Sequence, residues 1–271
     1  MRRGGRKRHV NKMKLNEFKI YHNNIRGFNS KRISLESILS SIQPNIVTLN
    51  ETRYRNQQKV EISGYPSFCR NRKVGSGGGI ATAVRDDEYE YALKVGEGEN
   101  NDEFLITRHS QFQIPVNIIN IYGESESRCK VSEVEERWHR IALELKKIEN
   151  KREVAIVIGD LNKHLGLEIK DNRSKISPGG KVVIDFLREG NYILLNGTNK
   201  VKNGPFTRYD PSCPFDDSLK SCLDLVILSR SLLPFVSELI IDKDMNFTPC
   251  HPIAGGKMSY TDHYGLLLIL I

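Results

Sequence analysis

The feature that most constrains the fold is an unbroken apolar run at residues 154–158, rich in β-branched side chains. A strand with one solvent-facing side alternates apolar and polar residues, whereas a run of this kind predicts a strand covered on both faces. Such a strand belongs in the centre of a layered structure. The run leads directly into Gly159-Asp160-Leu161-Asn162, so the sequence also predicts polar side chains at the end of a buried strand.

Other apolar patterns predict strands that alternate with helices. Further strands are predicted over residues 18–22, 46–49, 80–84, 116–122, 192–195, 223–228, 238–241 and 266–271. Apolar spacing predicts a helix over 35–42, a second helix follows a capping box formed by Ser132 and Glu135, and a third is predicted near 181–188. This alternation, without repeats or long linkers, predicts a layered α/β or α+β sandwich in one domain, residues 17–271.

The glycine-rich segment 75–79 directly precedes the strand predicted at 80–84. A glycine loop that cradles phosphate must instead follow a strand and open a helix. The segment therefore favours a hairpin turn over a nucleotide-binding loop.

Charge is concentrated at the N-terminus. Lys and Arg (41) exceed Asp and Glu (33), and seven of these basic residues precede the first acid, Glu17. Residues 1–16 cannot bury apolar surface, so they are predicted to form a disordered basic arm. Two interpretations stay open: phosphate contact or nuclear import, and a solubilising tail or the cut end of a longer polyprotein. The overall excess is consistent with a polyanionic partner.

The cysteines and the apolar segments bear on the cellular compartment in which the protein is expected to act. The five cysteines are scattered without a C-x-x-C pair, which argues against a disulfide framework and favours a reducing, intracellular setting. Cys250-His251 has no partner pair at zinc-ligand spacing. No apolar signal segment follows the basic N-terminus, and the final apolar run, 266–271, is too short to span a bilayer. We therefore expect no membrane partner.

Polar residues cluster where the predicted strands end. They are Asn24, Glu51, Tyr122, Asp160, Asn162, Asp262 and His263. An eighth residue, Asp224, lies inside an apolar run, where a carboxylate is costly to bury unless it is paired. Asp and Asn at strand ends also serve as ordinary turn formers, and that alternative stays open for each residue taken singly.

The residue types indicate a class of chemistry. Carboxylates, amides and a histidine, without a cysteine pair, suit an oxygen-coordinated cation such as Mg²⁺ and the activation of water by a general base. A Ser-His-Asp hydrolase is disfavoured because the chain has no G-x-S-x-G, and a P-loop is disfavoured because it has no G-x-x-x-x-G-K-[ST].

Six short motifs in order resemble one family. They are Asn24-Ile25-Arg26-Gly27-x-Asn29, Leu49-Asn50-Glu51-Thr52, Asn120-Ile121-Tyr122, Gly159-Asp160-Leu161-Asn162, Ser221-Cys222-Leu223-Asp224 and Thr261-Asp262-His263. From about Lys19 to the C-terminus the chain is similar to the exonuclease–endonuclease–phosphatase (DNase I-like) family, most of all to the apurinic/apyrimidinic-type endonuclease domain of non-LTR retrotransposons. The resemblance implies a four-layer sandwich of two packed mixed β-sheets flanked by helices.

The resemblance also implies an activity. It is a Mg²⁺-dependent nicking of double-stranded DNA that leaves a 3′-hydroxyl, with Mn²⁺ as an alternative ion. Glu51 would be the principal metal ligand, with Asn24 and Asp262 beside it. Asp160 would orient or deprotonate the attacking water, and Tyr122 would hold a phosphate oxygen.

The remaining roles concern the phosphate and its charge. Asn162 would donate hydrogen bonds to the phosphate, and His263 would stabilise the pentavalent transition state. Asp224 would fix the tautomer of that imidazole. Thr207 matches a phosphate-contacting threonine of the retrotransposon members, and Arg26 is assigned to substrate binding.

Two departures refine the comparison. Repair-type members carry an acid at the position of Arg26, which favours the retrotransposon branch. The last motif, at Thr261, has threonine where serine is commoner, so the hydroxyl is kept. The segment 242–259 fills the region in which family members carry a DNA-reading hairpin or loop.

The resulting prediction is a monomeric, nuclear endonuclease whose parent polyprotein carries a reverse transcriptase. Other substrates of the same fold stay open: abasic DNA, RNA or inositol lipids. Phosphatases normally carry a tryptophan before G-D-L-N and a Cys-Asp-Arg motif near the end, and this chain has neither. A third interpretation, an inactive interaction module, is disfavoured because every expected catalytic position holds a competent residue.

Overall fold

A computed structural model describes residues 17–73, 77–99, 103–125, 127–166, 175–213 and 216–271. The basic arm predicted for residues 1–16 lies outside these ranges, as does part of the predicted glycine turn. In the described part of the chain no helix is long and apolar enough to cross a membrane. All five cysteines are free thiols there.

The described residues form fifteen strands and three α-helices. In chain order the strands are β1 (Phe18–Asn24), β2 (Ile46–Asn50), β3 (Ser67–Arg70), β4 (Ile80–Val84), β5 (Ala92–Glu97), β6 (Glu103–His109), β7 (Val116–Tyr122), β8 (Val154–Asp160), β9 (Tyr192–Leu194), β10 (Val201–Lys202), β11 (Asp224–Ser229), β12 (Val236–Ile241), β13 (Cys250–Pro252), β14 (Met258–Tyr260) and β15 (Leu266–Leu270). The helices are α1 (Phe28–Ile42), α2 (Val131–Asn150) and α3 (Pro178–Glu189).

The strands form two mixed sheets and a small hairpin. Sheet 1 has the order β10-β12-β15-β1-β2-β4-β3, and sheet 2 has the order β5-β6-β7-β8-β11-β9. In sheet 1, β1 runs parallel to β2 and antiparallel to β15. In sheet 2, β8 runs parallel to β7 and antiparallel to β11. Strands β13 and β14 pair only with each other.

Three apolar clusters stack the molecule into four layers. The central cluster lies between the sheets, where Ile20 and Leu268 of sheet 1 pack with Ile158 and Val226 of sheet 2. One outer cluster joins α1 to the other face of sheet 1. The second joins α2 and α3 to the outer face of sheet 2. The predicted central strand is confirmed as β8, which is almost wholly buried. The predicted four-layer sandwich is confirmed.

Two local predictions need correction. Helix α2 begins at Val131, and Glu133 rather than Glu135 folds back to accept the Lys130 backbone N–H at 2.7 Å. The predicted capping box at Ser132 is therefore wrong, because the N-cap is Lys130 and the helix begins two residues earlier than that motif requires. Apolar patterns also failed to predict several strands, among them β5 and β6. Strand β5 is an exposed edge strand without clear alternation, and β6 mixes charged with apolar residues.

Candidate active site

Six strand ends meet at one edge of the sandwich. Strands β1, β2, β7 and β8 end there, whereas β11 and β15 begin there because each is antiparallel to a neighbour that ends at this edge. The chain leaves the strands at Asn24, Asn50, Tyr122 and Asp160, and it enters β11 at Asp224. The topology therefore brings the predicted strand-end residues of both sheets to one place.

Two buried asparagines that were given no role in the sequence analysis join the sheets beneath this edge. Asn50 of sheet 1 donates from Nδ2 to Asn120 Oδ1 of sheet 2 at 2.8 Å. Its Oδ1 accepts the backbone N–H of Asp160 at 2.7 Å. Asn120 in turn donates to the Ala81 carbonyl at 2.8 Å. Buried amides with these partners hold the ends of β2 and β8 at a fixed separation.

Gly159 permits a close approach of β8 to its neighbour. Its φ is 153°, and a Cβ placed there would lie 1.8 Å from the Ile121 carbonyl oxygen. No side chain fits at that distance. The glycine of the G-D-L-N motif is thus required by the packing of β7 against β8, which delivers Asp160 to the site.

Glu51, Asn24 and Tyr122 form the first group of site residues. Asn24 Nδ2 donates to Glu51 Oε1 at 3.1 Å, and the Tyr122 hydroxyl donates to the same oxygen at 3.0 Å. Burial, followed by the negative charges of Glu51 and Asp160, raises the pKa of Tyr122 far above its usual value. The phenol therefore keeps its proton and acts as a donor.

Asp160 is the best-supported carboxylate of the site. Its Oδ2 accepts hydrogen bonds from Asn24 Nδ2 at 2.8 Å and from Asn162 Nδ2 at 2.9 Å. Its Oδ1 accepts the Asn162 backbone N–H at 2.8 Å. Three donors fix both oxygens of a fully buried side chain. Asn24 bridges Asp160 to Glu51, so the predicted base and the predicted metal ligand share one amide.

His263 lies between two aspartates. Its Nδ1 lies 2.7 Å from Asp224 Oδ2, and its Nε2 lies 3.8 Å from Asp160 Oδ2. The other oxygen of Asp224 lies 3.2 Å from Nε2 of His22, a buried residue of β1 that was not among the predicted site residues. The prediction that a buried Asp224 must be paired is confirmed, with two imidazoles rather than one.

The pKa values of this group are displaced in opposite directions. Burial disfavours the imidazolium, but the charges of Asp224 and Asp160 outweigh it and raise the pKa of His263 to about 9. Burial also opposes ionisation of Asp224, but the two histidines hold its pKa well below the usual range. Burial raises the pKa of Asp160 to about 7, against the opposing effect of His263. The site therefore combines a cationic His263 with an Asp160 that can accept a proton near neutrality.

Asp262 is tied to two arginines through one oxygen only. Its Oδ2 lies 2.7 Å from Arg26 Nη1 and 3.3 Å from Arg208 Nη2. Although burial opposes ionisation, His263, Arg26 and Arg208 lower the pKa of Asp262. Its Oδ1 is buried and has no hydrogen-bond partner among the residues that the structure describes. An ionised oxygen in that state is suited to a cation.

Thr207 has a different setting from the other predicted residues. It is fully buried, and its Oγ1 accepts the backbone N–H groups of Leu223 and Asp224 at 2.9 Å each. It thereby fixes the start of β11. The predicted phosphate contact of Thr207 stays a prediction, and the observed hydrogen bonds give this side chain a structural task.

The backbone is strained at three of the site residues. Arg26, Glu51 and Asn162 have φ values of 46°, 49° and 51°, in the left-handed region that residues with a Cβ rarely adopt. Such conformations cost about 1 kcal/mol or more each and persist where the surroundings impose them. They turn each side chain toward the site immediately after a strand ends.

Two groups of residues could hold a divalent cation. Ligand atoms of Asp160, Asp224 and His263 lie within 4.8 Å of one another. Their hydrogen bond and the raised pKa of His263 favour a proton there, because an imidazolium has no lone pair for a metal. The second group is Glu51, Asn24 and Asp262, which offers only oxygen ligands and includes the unpartnered Oδ1 of Asp262. This donor set fits Mg²⁺.

A cavity of about 880 Å³ opens above these residues. Its wall contains Glu51, Asp262 and His263 together with six arginines: Arg26, Arg53, Arg55, Arg72, Arg128 and Arg208. Three acids line the same cavity, so the wall is basic overall. A polyanion with a reactive phosphate fits this combination of charge and site.

Comparisons with known proteins agree with this geometry. The model of the endonuclease/exonuclease/phosphatase family matches residues 24–263, a stretch that begins at Asn24 and ends at His263. No curated protein matches the chain in sequence.

Solved structures are similar in fold. An AP endonuclease from Archaeoglobus fulgidus is 18% identical with a TM-score of 0.69, covering 93% of this chain and 99% of its own. The endonuclease domain of TRAS1, a telomere-specific non-LTR retrotransposon, is 15% identical with a TM-score of 0.65, covering 94% and 98%. The 3′ phosphatase NExo from Neisseria, bound to a product DNA hairpin, is 16% identical with a TM-score of 0.68, covering 94% and 99%.

Proposed function

The chain belongs to the endonuclease/exonuclease/phosphatase family, and we propose that it is a Mg²⁺-dependent endonuclease that nicks double-stranded DNA and leaves a 3′-hydroxyl. One observation carries the proposal: Glu51, Asp160 and His263 converge at one strand edge. Asn24 bridges the first two, and 3.8 Å separates the last two. A metal ligand, a base and a cationic donor at one place are the requirements for hydrolysing a phosphodiester.

The cation would be held by Glu51, Asn24 and Asp262, with Mn²⁺ as an alternative occupant. When bound, it would neutralise charge on the non-bridging phosphate oxygens. The unpartnered Oδ1 of Asp262 supports this assignment. Arg26 and Arg208 bind only the opposite oxygen, and His263 Nε2 lies 4.0 Å from Oδ1, beyond hydrogen-bond distance.

The protein's own groups supply the proton transfers. Asp160 accepts a proton from the water that attacks phosphorus, for which its raised pKa suits it. As the new P–O bond forms, the bond from phosphorus to the 3′-oxygen breaks, and that oxygen takes a proton from solvent to become the 3′-hydroxyl. The amides of Asn24 and Asn162 hold its carboxylate in place. His263, cationic beside Asp224, donates to a phosphate oxygen from Nε2. Tyr122, which keeps its proton, donates alongside it.

The substrate class follows from the basic cavity. Six arginines around a single reactive centre support a long polyanion such as DNA over a small phosphate ester. Arg26 stands where repair-type members carry an acid, which supports a retrotransposon endonuclease over an abasic-site enzyme. On that basis we extend the proposal to a monomer that acts in the nucleus and is joined to a reverse transcriptase in its parent polyprotein.

Nicking of supercoiled plasmid tests the proposal. We expect Mg²⁺-dependent conversion to open circles, loss of activity with EDTA, and nicks that a DNA polymerase extends without end processing. Glu51→Gln and His263→Ala should each reduce the rate by at least about 100-fold. Glu136→Gln and His139→Ala, exposed changes on α2, are the matched controls.

Two outcomes would contradict the proposal. The first is cleavage by Glu51→Gln or His263→Ala at the rate of the unaltered protein. The second is intact plasmid under all metal conditions. Parallel reactions on an abasic duplex and on poly(A) identify the alternatives, because cleavage confined to either one would indicate a repair enzyme or an RNA nuclease.

A further inference from the structure

We propose that His22 is a positioning residue that holds the Asp224 carboxylate for His263, an inference that rests on the proposed nuclease function. His22 lies on β1 of sheet 1 and is fully buried. Its Nε2 lies 3.2 Å from Asp224 Oδ1, whereas His263 Nδ1 lies 2.7 Å from Asp224 Oδ2. One carboxylate thus stands between two imidazoles, with one oxygen for each.

The donors and acceptors that each side chain offers fix the direction of the bond between His22 and Asp224. An ionised Asp224 only accepts, so the proton on the His22 ring belongs on Nε2. The other ring nitrogen, Nδ1, lies 3.0 Å from Thr48 Oγ1, and the Thr48 hydroxyl also donates to the Tyr21 carbonyl at 3.3 Å. Both ring nitrogens of His22 thus lie within hydrogen-bond distance of a polar side chain. Thr48, His22, Asp224 and His263 form a continuous series of buried polar contacts.

The main chain and the side chain of Asp224 have separate supports. Thr207 and Asn196 hold the backbone, because Thr207 Oγ1 accepts the Asp224 N–H at 2.9 Å and Asn196 Nδ2 donates to the Asp224 carbonyl at 3.1 Å. Neither bond restricts rotation about the Cβ–Cγ bond of Asp224. His22 does so, since it binds the oxygen that His263 does not use.

The bond also crosses from one sheet to the other. His22 is two residues before Asn24 on the same strand, and Asn24 contacts Asp160 at 2.8 Å. Strand β1 thus positions Asp160 through Asn24 and positions Asp224, which holds His263, through His22. Because His22 and Asp224 lie on different sheets, the orientation of His263 depends on how β1 is positioned over β8 and β11.

The test compares two amides of different length at position 22. Gln carries its amide nitrogen at the same number of bonds from the backbone as imidazole Nε2, whereas Asn ends one bond shorter. We expect His22→Asn to lower kcat for plasmid nicking by about 10- to 100-fold, as outer partners of active-site groups typically do. KM for DNA should stay unchanged, and His22→Gln should recover most of kcat.

Two controls separate positioning from general support of the core. His109→Asn alters another fully buried histidine, on β6 and outside the site, and should leave kcat unchanged. In an Asp224→Ala background, His22→Asn should cause no further loss, because a residue that acts through Asp224 has nothing left to position. An equal loss in both backgrounds, or no loss from His22→Asn alone, would overturn the inference.

A spectroscopic measurement keeps this inference separate from the nuclease assignment. In proton NMR the His263 Nδ1–H, bonded to a carboxylate at 2.7 Å, should give a slowly exchanging, far-downfield signal that His263→Ala removes. His22→Asn should broaden this signal and His22→Gln should keep it. If the unaltered protein fails to nick DNA, the proposed function is lost, but this result still decides the role of His22. An unchanged signal in His22→Asn would refute it.

Discussion

Asp224→Asn is the substitution whose effect the structure defines most fully. The carboxylate faces two imidazole nitrogens, His22 Nε2 at 3.2 Å and His263 Nδ1 at 2.7 Å. An amide offers one acceptor oxygen and one donor nitrogen, so in the present tautomers one of the two histidines faces a donor. The negative charge that favours the His263 imidazolium is removed as well.

The pKa of His263 sets the size of the effect. It is raised from 6.5 to about 9, and after burial, which opposes the shift, Asp224 is its largest cause. If the substitution returned this pKa to its ordinary value, about 3% of the variant would carry the imidazolium at pH 8, against about 90% of the unaltered protein. That ratio predicts a loss of about 30-fold in rate at pH 8.

The sign of the pH dependence follows from the same reasoning. A required imidazolium is lost as the pH rises through its pKa, so the variant fails at lower pH than the unaltered protein. At pH 6 most molecules of both proteins carry the charge, and the difference in rate from this cause should shrink to about 1.3-fold. Asp224 also contributes to the raised pKa of Asp160, about 7, so the substitution changes that titration too, and the ratio of the two rates above pH 7 is the part that reports His263.

Single-turnover nicking between pH 6 and pH 9, at fixed Mg²⁺ and salt, measures that ratio. Asp185→Asn, which alters a half-exposed acid on α3, is the matched control and should follow the unaltered protein at every pH. A ratio that stays constant across this range would refute the assignment of a charged His263, even if the overall rate fell.

Two further predictions concern stability. Burial lowers the pKa of His109 to about 4; the folded protein resists its protonation, so the free energy of unfolding should fall by up to about 3 kcal/mol from pH 7 to pH 4. His109→Gln should flatten this dependence in urea titrations, and an unchanged slope would contradict it. Gly159→Ala should destabilise by about 2–4 kcal/mol because its Cβ would meet the Ile121 carbonyl at 1.8 Å. Gly204 also has a positive φ, 97°, but a Cβ there would meet no atom within 4 Å, so Gly204→Ala measures the backbone cost alone. If both variants lost equal stability in thermal unfolding, the contact with Ile121 would not be the cause.

The strand-end residues could be predicted because apolar runs reveal where buried strands stop. Val154–Asp160 contains such a run, and the acid that ends it lies in the site. The predicted partnership of Asp224 followed from the cost of burying a lone carboxylate. Both inferences depend on local sequence and the solvation of single groups.

Residues that act across the sheets could not be predicted in this way. His22 and Asn50 are polar residues within apolar strands, and their partners lie 202 and 110 positions away along the chain. Asn50 directly precedes Glu51 in the chain, but nothing in the local sequence distinguishes it from a turn former. The burial of Thr207 likewise follows from its pairing with the start of β11.

The capping box failed for a related reason. Ser132 and Glu135 have the right spacing, but α2 starts where its apolar stripe meets sheet 2. Packing selects the first helical residue, and Glu133 then satisfies the N–H that this choice exposes. Intrinsic capping preferences of about 1 kcal/mol do not override a buried face of this size.

The division of the site between two sheets has a consequence for how the protein can fail. Asn24 and His22 are anchored in one sheet, and Asp160 and Asp224 in the other. A slip of one sheet past its partner by a fraction of an ångström would misalign both contacts while each sheet kept its own ladder of hydrogen bonds. Such a molecule would lose catalytic activity before any loss of secondary structure. The rate of nicking therefore detects small displacements between the sheets that circular dichroism does not.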